Sequence, residues 1–130
     1  MSPERAVEVR NTTQDKDLRI PFERIAHELL GARYRLSLVI CGDALAKKMN
    51  SIYRKKRYSP NVLTFPLGKS DGEIFLNVRV ATREAKRFGV SRHERLALLF
   101  AHGCLHLKGM KHGPQMEAVE KRIVKKLART

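Results

Sequence analysis

The spacing of apolar residues changes several times along the chain, and each change marks an element. Alternation in AVEVRNTT, residues 6–13, predicts a first strand. In PFERIAHELLG the positions Phe22, Ile25, Ala26, Leu29 and Leu30 recur at helical spacing, with Pro21 opening the helix and Gly31 closing it. YRLSLVIC alternates and then turns wholly apolar, the pattern of a strand inside a sheet. Gly42 and Asp43 follow, with Asp43 a candidate N-cap. ALAKKMNSIYRKK then predicts a helix whose inward stripe is Leu45, Met49, Ile52 and Tyr53.

NVLTFPL and GEIFLNV read as two short strands joined by the turn GKSDG, and a helix is expected near ATREAKRFG. Ser91 and Glu94 have capping-box spacing and open a helix that runs through RLALLFAHGCLHLKG. That helix is apolar on nearly every side, which predicts the central buried one. After Pro114, the positions Met116, Val119, Ile123, Val124 and Leu127 form the inward stripe of a last amphipathic helix with lysines and arginines outward. The expected fold is α+β: a single domain with a mixed sheet of about four strands, packed with four or five helices. No internal repeat or low-complexity tract interrupts it.

A length of 130 residues suits one domain, 1–130, with one core. Lysine and arginine number 27 against 13 acidic residues, a formal charge of +14 that implies a polyanionic partner, nucleic acid before membrane. No apolar run approaches the roughly 20 residues that span a bilayer. MSPERAVEVR has no apolar leader stretch, so a cytoplasmic protein is expected. Cys41 and Cys104 lie far apart among apolar neighbours and read as small core residues, neither a disulfide pair nor ligands.

The candidate chemistry sits in AHGCLHLKGMKHG, residues 101–113. His102 and His106 are one helical turn apart on one face, so two imidazoles can reach one ion at roughly 2.0–2.1 Å. Gly109 can take the left-handed conformation that ends a helix, which lets the chain return and offer His112 as a third ligand. Three neutral imidazoles with a fourth position open is the pattern of a catalytic zinc site, one Zn2+ per chain. His27, in the first helix, and His93, in a capping turn, are expected to be surface or locally bonded residues.

Two chemistries share this spacing. HxxxHxxGxxH is also the backbone of the metzincin zinc peptidases, which carry glutamate directly after the first histidine as general base. Here that position is Gly103, which cannot take a proton. HGCLHLKGMKH resembles instead the HGxLHLxGYDH signature of the YbeY family, bacterial metal-dependent endoribonucleases of ribosomal RNA maturation. MNSIYRKKRYSPNVLTFP resembles that family's LNxxYRxKDxPTDVLSFP segment, and GEIFLN its GDIxI strand. Three features depart from the pattern: Lys111 replaces the acidic residue before the third histidine; Ser59-Pro60 replaces Pro-Thr, with Asn61 where aspartate is common; and the chain stops soon after the last helix.

The resemblance implies zinc on His102, His106 and His112, and an arginine important for activity at Arg54. It also implies single-stranded RNA as substrate, with action on the 3′ end of small-subunit (16S) ribosomal RNA and in ribosome quality control. Independently of it, phosphodiester cleavage builds negative charge that a Lewis-acid metal and a guanidinium fork stabilise. The basic run Arg54, Lys55, Lys56 and Arg57 at a helix end suits a phosphate backbone, and Tyr53 is expected in the core. No residue stands out as a general base. A ribosome-assembly factor that binds RNA and holds its zinc structurally remains the alternative from another class.

Overall fold

The computed structural model describes residues 6–128; residues 1–5, part of the N-terminal stretch read above for an apolar leader, lie outside that range. Along the chain come β1 (Val7–Asn11), α1 (Phe22–Leu30), β2 (Arg35–Cys41), α2 (Asp43–Arg54), β3 (Val62–Gly68), β4 (Asp71–Asn77), α3 (Val78–Phe88), α4 (Arg92–Leu107) and α5 (Pro114–Ile123). A five-residue π-helical turn, Val124–Ala128, continues α5. The strands form one mixed sheet in the order β1-β2-β4-β3. β2 lies parallel to β1 and β4, while β3 returns antiparallel along β4 as an edge strand. This is the expected α+β architecture, with β2, apolar from Leu38 to Cys41, in an inner position.

Alternation along each strand sends the sheet's side chains to two faces. One face carries Leu36, Leu38, Ile40, Ile74 and Leu76, and packs with α1, α4 and α5 into the main core. The other carries Val39, Cys41, Leu63 and Phe75, and meets only Ala46, Leu45 and Met49 of α2, with Phe65 beside them. α4 is the buried helix its composition predicts. Leu96, Ala97, Leu99, Phe100, Ala101, Gly103, Cys104 and Leu105 are all buried, and Phe100 meets Phe22 edge-on at 4.9 Å. Ser91 caps α4 by accepting from the Glu94 amide at 3.0 Å. Both cysteines are free and buried, and burial pushes the Cys41 thiol up to about 11.

Three expectations are corrected. Tyr53 and Ile52 are 63% and 57% exposed, not core: of α2, Leu45, Ala46 and Met49 pack on the small second face of the sheet, and Ile52 and Tyr53 of its last turn do not join them. Tyr53 retains one edge contact, to Phe65 at 5.2 Å. Gly42, not Asp43, is the N-cap of α2. The Asp43 carboxylate instead accepts from Asn77 at 3.1 Å and from Arg83 at 3.0 Å, and the Arg83 guanidinium holds its carboxyl below the ordinary aspartate value. Finally, α3 begins at Val78, directly off β4, because the fully buried Asn77 accepts from the Arg79 and Val80 amides and caps it. Among the described residues no helix is long and apolar enough to cross a membrane.

Candidate metal centre

α4 ends two residues before Gly109, and the way it ends sets up the site. The Gly109 amide donates to the His106 carbonyl at 2.9 Å, and the Met110 amide to the Leu105 carbonyl at 3.0 Å. With Gly109 at φ +95, these two bonds make a Schellman stop, a conformation an L side chain resists. The chain then doubles back past partly buried Met110 and brings His112 over the last turn of α4. The His102 ring centroid lies 4.4 Å from that of His106 and 5.4 Å from that of His112. One ligand nitrogen from each of the three lies within 4.8 Å of the others. Nitrogens sharing one tetrahedral zinc stand about 3.4 Å apart, given bonds of about 2.0–2.1 Å, so modest ring rotations close the set on an ion.

The protonation pattern also fits a cation. His102 Nδ1 sits 2.5 Å from Glu120 Oε1. An ionised carboxylate only accepts, so Nδ1 carries the proton and Nε2 presents its lone pair. That lone pair faces His106 Nε2 at 2.9 Å, a separation that needs a proton or a cation between the two nitrogens. Burial first, then His102 and His112, hold the His106 imidazole below its ordinary value, favouring the neutral ligand form, with Glu120 opposing. Glu120 is 4% exposed, a carboxylate inside the core whose partner is this histidine.

His102 and His106 open onto a cleft of about 580 Å³. The end of α2 and the loop into β3, including Arg54, Tyr58 and Asn61, line the same cleft, with Thr64 of β3 between them and α4. Arg54 thus lines the same cleft as two of the three histidines. Its guanidinium donates to Asn50 Oδ1 at 3.4 Å, and Asn50 Nδ2 donates to the Tyr58 carbonyl at 3.0 Å, so one fully buried asparagine holds both the arginine and the loop. The Asn77 amide donates to the Pro60 carbonyl at 3.1 Å and fixes the next stretch of that loop. Lys55, at φ 56, ends α2; with Lys56 and Arg57 it is exposed beside the cleft without lining it. His27 is exposed, and His93 lies 3.3 Å from Asp17, both away from the cleft.

Gly103 explains why α4 can sit so close to β3 and β4. A Cβ there would meet Ile74 Cδ1 at 3.1 Å and the Thr64 and Val62 methyls at 3.3 Å. The position faces the sheet, so a peptidase-type glutamate would have neither room nor a line to the histidines. The residues sequence reasoning missed are Asn50, Glu84, Asn77 and Glu120. Glu120 did leave a signal: it falls on the inward stripe of α5, four after Met116 and three before Ile123, where a lone carboxylate demands a partner. The others left none, since their partners come from distant parts of the chain.

The profile of the family described as endoribonuclease YbeY matches residues 4–129. Among curated proteins, endoribonuclease YbeY of Bordetella petrii is 39% identical over 103 residues, covering 72% of this chain and 66% of that protein. The Nautilia profundicola protein of the same name is 37% identical over 99 residues, 71% of each chain. That of Pseudomonas putida is 33% identical over 129 residues, 89% of this chain and 82% of its own. The solution structure of TM1509 from Thermotoga maritima has the same fold, with a TM-score of 0.69 at 23% identity over 92% of this chain and 87% of that one.

Proposed function

This chain belongs to the endoribonuclease YbeY family, whose members are RNA-cleaving hydrolases, and on that premise we propose that it is a zinc-dependent endonuclease of single-stranded RNA. Its proposed task is processing of ribosomal RNA at the 3′ end of the small-subunit (16S) RNA, and ribosome quality control, in the cytoplasm. The observation that carries the reading is the convergence of three imidazole donors, two of them in the wall of a cleft that Arg54 also lines.

In this reading His102, His106 and His112 hold one Zn2+, which supplies Lewis acidity to a phosphodiester when bound. Glu120 keeps the proton on His102 Nδ1 and so keeps Nε2 turned to the ligand set. Arg54, at the end of α2, reaches the phosphate and stabilises the charge that develops on its oxygens, a planar fork against a planar pair of acceptors. Lys55, Lys56 and Arg57 draw the flanking backbone to the cleft mouth. A site built by three imidazoles beside an open cleft supports a catalytic over a structural zinc, since structural sites close with a fourth protein ligand.

The test is metal analysis of purified protein beside single-turnover cleavage of a 3′-extended small-subunit RNA. The expected result is about one zinc per chain and cleavage that chelator abolishes and added zinc restores. Zinc without cleavage would leave the RNA-binding assembly factor as the function.

A further inference from the structure

Two cavities flank His102. One is the Arg54 cleft; the other, of about 310 Å³, is lined by Arg95, Leu98, Leu99, His112, Glu117, Glu120 and Lys121. His102 and Asn61 are the two residues common to both linings, so Asn61 stands where the cavities meet. Its amide is oriented from behind. Nδ2 donates to both oxygens of the Glu84 carboxylate, at 3.3 and 3.2 Å. Glu84 is in turn held by Arg95, through Nε at 3.0 Å and a second guanidinium nitrogen at 2.9 Å, and the Arg95 guanidinium lies over the Phe88 ring at 4.9 Å. A carboxylate accepts and cannot donate, so the Asn61 nitrogen must face Glu84 and its carbonyl oxygen must face away. That oxygen accepts from no described residue.

The result is a fixed acceptor beside the place assigned to a phosphodiester. Phosphate oxygens, bridging ester oxygens and the ribose ring oxygen are all acceptors and would be repelled there. The one donor on a nucleic-acid backbone is the ribose 2′-hydroxyl. We propose that Asn61 accepts a hydrogen bond from the 2′-hydroxyl of a nucleotide beside the scissile bond, and that Glu84 is the positioning residue that aims it, so that the site selects RNA over DNA. This rests on the ribonuclease reading above and deepens it.

The experiment uses zinc-loaded full-length protein cleaving a labelled RNA strand, with unlabelled strands as competitors. Each competitor is ribose throughout except for one nucleotide, which is 2′-deoxy or 2′-fluoro, and that position is walked across the cleavage site. Neither group donates, so at one position both should weaken the inhibition constant about tenfold against wild type, the size of one neutral hydrogen bond. Asn61→Leu should bind the all-ribose competitor about tenfold more weakly and show no further loss at that position. Glu84→Gln, which keeps Asn61 but frees its amide to turn, should show a reduced penalty at the same position with zinc content unchanged. A penalty that persists undiminished in Asn61→Leu, or a wild type indifferent to the sugar at every position, overturns the proposal. If wild type fails to cleave the labelled RNA at all, the ribonuclease reading falls first and this inference with it.

Discussion

The C-terminal half of α4 and the end of α2 line the same cleft, yet they are built in opposite ways. From Leu96 to Leu105, α4 buries eight residues against the sheet, α1, α3 and α5, and its histidines ride on that packed surface. α2 buries only Ala46 and Asn50, and its last turn, with Tyr53 and Arg54, stands in solvent. Metal donors must be placed to a few tenths of an ångström, and dense packing supplies that rigidity. A cationic group that meets a flexible single strand tolerates looser placement, held by a few polar contacts such as those of Asn50. The difference teaches that the two walls should fail differently when altered.

The largest effect should come from the packed wall's donors. His106→Ala leaves two imidazoles, and zinc occupancy measured by metal analysis should drop from about one per chain to near zero, with cleavage lost; full occupancy would break the assignment. Protonation removes the same donors, so affinity should weaken as pH falls below about 6. The sign follows from His106: its value is held below the ordinary one, so the fold favours its neutral form, and that contribution is complete at neutral pH and shrinks as pH falls.

Next in size is Phe100→Ala, which empties a fully buried ring site where α4 packs on α1. Denaturant unfolding should show a loss of about 3–5 kcal/mol. Tyr53→Ala, at the end of α2, should stay within about 0.5 kcal/mol. Equal losses at the two sites would erase the contrast.

Arg54→Ala sharpens the comparison from the other side. Fold, zinc and most RNA affinity should survive, while the single-turnover cleavage rate falls roughly 10²–10³-fold. Arg54→Lys should recover part of this, because an ammonium lacks the two-pronged geometry. Normal cleavage at saturating RNA with much weaker binding would make Arg54 a phosphate clamp.

A smaller effect belongs to the loop beyond it. Replacing Lys55, Lys56 and Arg57 with glutamine should flatten the plot of log affinity against log salt by up to about 2, at roughly 0.7 per phosphate contact on single strands. The same measurement on wild type should give a steep slope; salt-insensitive binding would detach the charge of +14 from RNA.

The smallest concerns a contact remote from both walls. Arg92 pairs with Asp15, mainly through a direct hydrogen bond, and holds that carboxyl below the ordinary aspartate value. A lowered carboxyl stabilises the fold above its ordinary value, near pH 4, and the contribution is lost as pH falls through the lowered one. Asp15→Asn should therefore cost about 1 kcal/mol or less at pH 7 and progressively less as the pH is lowered into the acid range, read from denaturant midpoints.

What could be read along the chain was whatever is periodic or local. The stripe of α1, the apolar run of β2, the all-round apolar surface of α4 and the Ser91 cap each depend on residues within a turn or two of one another, and each took the predicted form. The grouping of His102, His106 and His112 was legible for the same reason, since a helical turn and one glycine stop bring them together. What depended on the third dimension was not legible. Tyr53 continued the stripe of α2, but whether a stripe is buried depends on what packs against it, and here only Leu45, Ala46 and Met49 of that helix meet the sheet's second apolar cluster. Asp43 looked like a cap because nothing local reveals Arg83, 40 residues on, which takes its carboxylate. Glu120 reaches His102, and Glu84 reaches Asn61, only because helices packed on the sheet set them side by side. Sequence determines which groups must find partners; the packing of distant elements decides which partners they find, because the desolvation cost of a buried polar group is settled only when the core closes around it.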